Sequence, residues 1–173
     1  MKAPIIREAT VTDAEGIAIV HVKTWQYAYK GHMPDALLYA LSIEKRTEGW
    51  KKLLEAPKED AHTFVIEVNG QIVGWCAVGK TRDDDVDPEV GELYGIYIHP
   101  DFIGKGLGSR LMQHALNTLK KDGYTKATLW VLDSNEKTQQ FYKRKGWMIE
   151  GKTKIDKRDG FNLHETRYII NLA

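Results

Sequence analysis

Gly104, Gly106 and Gly108 alternate in a short stretch that follows a β-rich run from Leu93 to Ile98. Glycines let a ligand approach the main chain closely and let several N–H groups point outward together. Pro100 and Asp101 end the strand, because proline cannot continue a hydrogen-bonded ladder. From Leu107 onward, Leu111, Met112, Ala115, Leu116 and Leu119 recur at helical spacing. The first turn of such a helix has unpaired N–H groups and the positive end of the macrodipole. Strand, glycine-rich turn and helix together make an anion cradle, with a phosphate or pyrophosphate as the expected guest.

Two common phosphate-binding patterns do not fit. The dinucleotide fingerprint requires Gly-x-Gly-x-x-Gly, and the nucleotide P-loop requires Lys followed by Ser or Thr, whereas Lys105 precedes Gly106. A second pattern lies downstream, where Asn135 and Tyr142 stand nearly two helical turns apart and so on one face. That face can offer a ligand an amide near the helix start and a phenol farther along. The residues alone leave open that Asn135 caps a helix and Tyr142 fills a core.

The surrounding elements follow from periodicity and punctuation. A short strand over Pro4–Ala9 precedes a helix that Thr12 or Asp13 can cap and Gly31 stops. A second helical region covers about Ala36 to Leu54, with a break near Ser42. Asn69-Gly70 between two β-rich runs predicts a hairpin with a type I′ turn. Arg82 to Glu89 is an acidic loop, and its charges are read as solvated. Further on come a strand over Ala127–Leu132, a helix over about Asn135–Arg144, and a final strand pair over Trp147–Glu150 and Asn162–Leu172. The charged stretch Lys152–Gly160 reads as a long, mobile connection, and Lys143, Arg144 and Lys145 as a solvated surface. This order predicts a mixed-sheet α/β (α+β) domain.

Composition narrows the function classes. Of 173 residues, 42% are apolar and 28% charged, ordinary globular values, and one domain over residues 1–173 is expected. A net charge of +1 gives no general pull toward nucleic acid or a membrane surface. Apolar runs fall short of a membrane span, and a signal-peptide core is absent from the N-terminus, so a cytoplasmic setting is expected. Cys76 is the lone cysteine and reads as a small buried hydrophobe. The six histidines lack metal-ligand spacing, so no metal is expected.

The segment Ile96–Gly108 resembles the acetyl-CoA signature of the GNAT N-acetyltransferase superfamily, Gln/Arg-x-x-Gly-x-Gly/Ala after a hydrophobic strand; Ile103 stands at the Gln/Arg position. Asp133–Trp147 resembles the second signature, with Thr138 in place of the small Ala and Trp147 in place of Phe. The resemblance implies a GNAT-like, mostly antiparallel sheet flanked by helices on both faces. It implies direct transfer of an acetyl group from acetyl-CoA to a primary amine of a small molecule or peptide. The pyrophosphate would then rest on the N–H groups of Ile103, Gly104, Lys105, Gly106, Leu107, Gly108 and Ser109. Ile96 and Ile98 would pair with the pantetheine arm, assisted by Asn135, while Tyr142 would meet the departing thiolate. Glu92 would be the base, with a solvated strand-end charge as its other reading. Trp25, Tyr29, His32 and Tyr94 would recognise the acceptor. Members that acetylate protein N-termini often carry Glu five residues before the motif Asn, where this chain has Trp130. Contact of Lys143–Lys145 with the ribose phosphate, a homodimer and a non-catalytic acyl-CoA-binding module also stand open.

Overall fold

A computed structural model describes residues 2–158 and 160–172. Strand β1 (Ile5–Glu8) leads through a 3-10 turn into α1 (Ala14–Ala28), α2 (Asp35–Tyr39) and α3 (Ile43–Glu55). Three strands follow, β2 (Ala61–Val68), β3 (Gln71–Lys80) and β4 (Val90–Ile98), then α4 (Leu107–Lys121), β5 (Lys126–Leu132) and α5 (Glu136–Arg144). The chain closes with β6 (Met148–Arg158) and β7 (Phe161–Asn171). All seven strands join one sheet in the order β1-β2-β3-β4-β5-β7-β6. Only β4 and β5 run parallel among these neighbours.

Local chemistry explains most boundaries. Ser42 separates α2 from α3 and accepts the N–H of Lys45 at 3.2 Å. Asn69 and Gly70 adopt φ of 52° and 80°, as a type I′ turn requires. At the start of α1 the Asp13 carboxylate turns back to accept the Thr10 N–H at 2.7 Å and also binds Arg7. Asp13 therefore ties β1 to the helix entry, without the forward cap bond expected of it.

Of the mobile connection expected over Lys152–Gly160, Lys152–Arg158 is instead strand and Gly160 a turn, while Asp159 lies outside the described residues. β6 runs through Arg158 and pairs with β7 from Thr153↔Thr166 to Arg158↔Phe161. Its charges misled the reading because β6 lies at the sheet edge, where lysines keep contact with water. The expected solvation of the acidic loop is also overturned in part. Asp83 and Asp85 pair with Arg167, and Lys152 meets Asp85 at 2.8 Å.

Both sheet faces are covered. α4 and α5 pack one core against Ile66, Val78, Leu93, Leu129 and Tyr168. α1 and α3 cover the other face over Val65 and Trp75. The turn after α1 and α2 lays Met33 and Leu38 on Leu132 and Leu163. Cys76 is fully buried, and burial pushes its thiol up to about 12, too high for a reactive thiolate.

Candidate active site

The site exists because two parallel neighbours part company. β4 and β5 pair only at Val90↔Lys126, Gly91↔Ala127 and Glu92↔Thr128. A bulge against β3 lies just beyond, since Ala77 faces Gly95 while Val78 faces Leu93, leaving Tyr94 as the extra residue. Such a bulge bends a strand and re-aims its side chains. Tyr94 is held there by a hydrogen bond from its hydroxyl to the Lys80 carbonyl and by the Arg82 guanidinium 4.7 Å above its ring. The separated strands border a cavity of about 1300 Å³.

One wall of that cavity is the glycine turn. Gly104 and Gly106 take φ of 83° and 76°, left-handed values that glycine adopts without strain. Gly106 is the N-cap of α4, and no side chain caps the helix. Among the described residues, the N–H groups of Gly104 through Ser109 find no protein partner. A Cβ added at Gly104 or Gly106 would touch no protein atom within 4 Å. It would project into open space beside those donors, so the turn fits the close approach of an anion. Arg144, Lys145 and Lys137 also line the cavity, whereas Lys143 does not.

The opposite wall carries the helix motif. Asn135 caps α5, its Oδ1 accepting the Thr138 N–H at 3.2 Å, and it also lines the cavity. The cap occupies the amide oxygen and leaves the NH₂ group to a ligand. Tyr142 is buried between Phe141 and Trp147 and reaches the cavity. Burial raises its phenol pKa, as does the neighbouring Tyr97, so the proton stays on.

Of the other expected site residues, Ile96, Ile98, Ile103, Gly104, Gly106, Leu107, Gly108, Ser109, Tyr29, His32 and Tyr94 line the same cavity. Lys105, Trp25 and Glu92 are not among its walls. Lys105 reaches back over the Phe102 ring, at 5.1 Å, and Trp25 packs on Tyr29 at 4.6 Å. Glu92 is fully buried. Its Oε1 accepts the Arg82 main-chain N–H at 2.8 Å, while Oε2 binds the Arg82 guanidinium at 3.0 and 2.5 Å. Both oxygens are therefore engaged, and acting as a base would require Glu92 to give up this pair.

Sequence reading missed Tyr97 and Trp130, which also line the cavity. Tyr97 stacks on His21 with ring centroids 5.8 Å apart, and Trp130 donates to Asp83 at 3.0 Å. Two tyrosines three residues apart, Tyr94 and Tyr97, were the available signal, but regular alternation sets such residues on opposite faces and the bulge changes which residues share one.

A sheet split between two parallel strands, with a bare-backbone turn on one wall and a buried phenol on the other, borders a single cavity. Residues 25–147 match the family model described as Acetyltransferase (GNAT) family, and the chain belongs to that family of N-acetyltransferases. It is 31% identical over 163 residues to an uncharacterized N-acetyltransferase of Methanocaldococcus jannaschii, covering 91% of this chain and 68% of the relative. The fold is similar to that of PaiA N-acetyltransferase from Thermoplasma acidophilum, solved in complex with coenzyme A: TM-score 0.73, 20% identity, 95% of this chain and 98% of that one. It is also similar to the ribosomal-protein-S18-alanine N-acetyltransferase from Escherichia coli, with TM-score 0.66, 20% identity and coverage of 99% and 95%.

Proposed function

We propose that this chain transfers the acetyl group of acetyl-CoA to a primary amine of a small molecule or peptide by direct attack. The observation that carries the reading is the row of unpartnered N–H groups from Gly104 to Ser109 opening into the cavity between β4 and β5. These donors suit a pyrophosphate, as the N-terminus of α4 does. The coenzyme A complex of the structurally similar PaiA N-acetyltransferase supports the same guest.

Bound acetyl-CoA supplies a thioester, an activated acyl group with a thiolate leaving group. The edge of β4 over Ile96–Ile98, free of β5, offers main-chain groups to the pantetheine arm and an N–H to the thioester oxygen. Asn135 donates its NH₂ to the same arm. Tyr142 hydrogen-bonds the departing sulfur. A phenol held above its usual value near 10 is a weaker acid than a thiol of about 8.5. Tyr142 therefore stabilises developing negative charge by donating a hydrogen bond more readily than by complete proton transfer.

The acceptor meets the side of the cavity lined by Tyr29, His32 and Tyr94. Trp130 stands where N-terminus-directed members often place Glu, which favours a small-molecule amine over a protein N-terminus.

The deciding test is thiol release from acetyl-CoA in the presence of a panel of amines. Amine-dependent release is expected, together with protection of the protein against heat by acetyl-CoA. Gly106→Glu should abolish both, because it sets a side chain and a negative charge in the cradle and forces a non-glycine residue to φ of 76°. Heat protection without turnover of any amine would identify an acyl-CoA-binding module instead.

A further inference from the structure

Four carboxylates stand on the strands bordering or extending the split sheet: Glu92 on β4, Glu150 and Asp156 on β6, and Glu165 on β7. Three are bound to arginine. Glu92 holds Arg82, Glu150 meets Arg167 at 2.8 Å, and Asp156 meets Arg158 at 2.9 Å. The Glu165 carboxylate, although half-buried, has no hydrogen bond or ion pair among the described residues. Nearby cations are committed elsewhere. Lys154, directly across from Glu165 on β6, lies 4.1 Å over the Trp130 ring instead.

Register sets Glu165 next to a residue of the cavity wall, although Glu165 is not itself among the wall residues. It faces Leu132 across β5–β7, and Leu132 and Trp130 both line the cavity. Directly opposed residues share a sheet face, and alternation puts Trp130 and Arg167 on that face too. It is the face on which Tyr29 and Met33 pack over Leu132. The charge of Glu165 acts on the phenols of Tyr29 and Tyr97, both cavity residues. A half-buried carboxylate there, in no ion pair among the described residues, is open to a cation reaching it from the cavity side.

We propose that Glu165 receives the ammonium group of the acceptor and takes its proton, directly or through one water. The inference rests on the acetyl-transfer reading above and deepens it. The step balances: R–NH₃⁺ and the Glu165 carboxylate give R–NH₂ and a carboxylic acid. The freed lone pair forms the C–N bond as the C–S bond breaks, and the bonding pair leaves on sulfur. The second proton that nitrogen sheds on becoming an amide passes to that sulfur to give the free thiol. The carboxylic acid afterwards returns its proton to water. Partial burial raises the Glu165 pKa and narrows its gap to the amine. The charged and titratable groups facing Glu165 are Lys154, Asp156 and Arg158 from β6, Arg82 from the β3–β4 loop, Tyr29 just after α1 and Tyr97 from β4. Of these, Lys154, Arg158 and Arg82 pull its pKa down and Asp156 pushes it up.

The experiment compares the wild type with Glu165→Gln and Glu165→Asp, using acetyl-CoA and the same amine panel from pH 5 to 9. Glu165→Gln keeps the shape and breaks no hydrogen bond or ion pair among the described residues, so heat protection by acetyl-CoA should match the wild type. Amine-dependent kcat/KM should fall by about 100-fold, with the acid limb of its pH profile lost. Glu165→Asp should recover part of the rate. Wild-type rate and pH profile in Glu165→Gln would overturn the inference. So would an acid limb that survives Glu165→Gln but vanishes in Glu92→Gln. A wild type that is protected by acetyl-CoA yet acetylates no amine would overturn the acetyl-transfer reading itself, a result read without any variant.

Discussion

Tyr142 combines a core position with an opening to the cavity, and substitution can separate these roles. Tyr142→Phe keeps the ring against Phe141 and Trp147 and removes only the hydroxyl. Turnover should fall by roughly 10–100-fold while acetyl-CoA affinity changes little, as steady-state kinetics and direct cofactor titration would show. Unchanged turnover would remove the phenol from the reaction. At this scale the spacing of Gly104, Gly106, Gly108, Asn135 and Tyr142 was legible because local helix and turn rules bring such residues together. The state of Glu92 was not, because it depends on Arg82, ten residues away and delivered by a loop whose path no local rule dictates. Glu165 was invisible for the same reason: whether a carboxylate is paired depends on which strands become neighbours.

Among the elements, the β3–β4 loop and the β6–β7 hairpin are fastened by Arg167. Its side chain, 3% exposed, reaches Asp83, Asp85 and Glu150. It stands opposite the irregularity in β6 where pairing shifts between Ile149 and Thr153, and Glu150 curls in to meet it. Arg167→Leu should cost about 3 kcal/mol, because three carboxylates then converge without their cation. Urea unfolding would measure the loss, and hydrogen exchange should show the loop over residues 82–89 opening. Arg167 holds the pKa values of Asp85 and Glu150 below their ordinary values. Groups depressed in the folded state add stability above the unfolded carboxylate pKa near 4 and lose it as pH falls further. The difference between wild type and Arg167→Leu should therefore shrink below about pH 4. Hairpin, capped helices and the glycine turn could be read from sequence, since each is a local signal. β6 could not, because its edge position, which makes its lysines tolerable, is a property of the assembled sheet.

Across the whole molecule, α1, α3, β3 and β4 meet at His21. Its ring lies 5.7 Å from Trp25 and Trp75 and stacks on Tyr97, and its Nδ1 accepts the Trp50 indole N–H at 3.4 Å. This bond makes the imidazole neutral, with its proton on Nε2. Burial, reinforced by the positive charge of Arg46, lowers its pKa to about 4. An unfolded histidine titrates near 6.5, so between these values the unfolded chain binds the extra proton and the folded chain does not. Stability from this site is complete above about pH 6.5 and declines as pH falls toward 4, by at most about 1.4 kcal/mol per pH unit. His114, also lowered chiefly by burial, adds a slope of the same sign. His21→Gln removes one titration and retains a side-chain acceptor for Trp50. It should lower stability at pH 8 by roughly 1 kcal/mol through lost ring packing, and flatten the decline between pH 6.5 and 4.5. Urea midpoints measured at half-unit steps across that range test the claim, and parallel curves for the two proteins would refute it. The four elements joined at His21 also fix Tyr97 in the cavity wall. Because folded His21 stays neutral until about pH 4, acetyl-CoA affinity should hold across the range in which stability falls, in the wild type as in the variant.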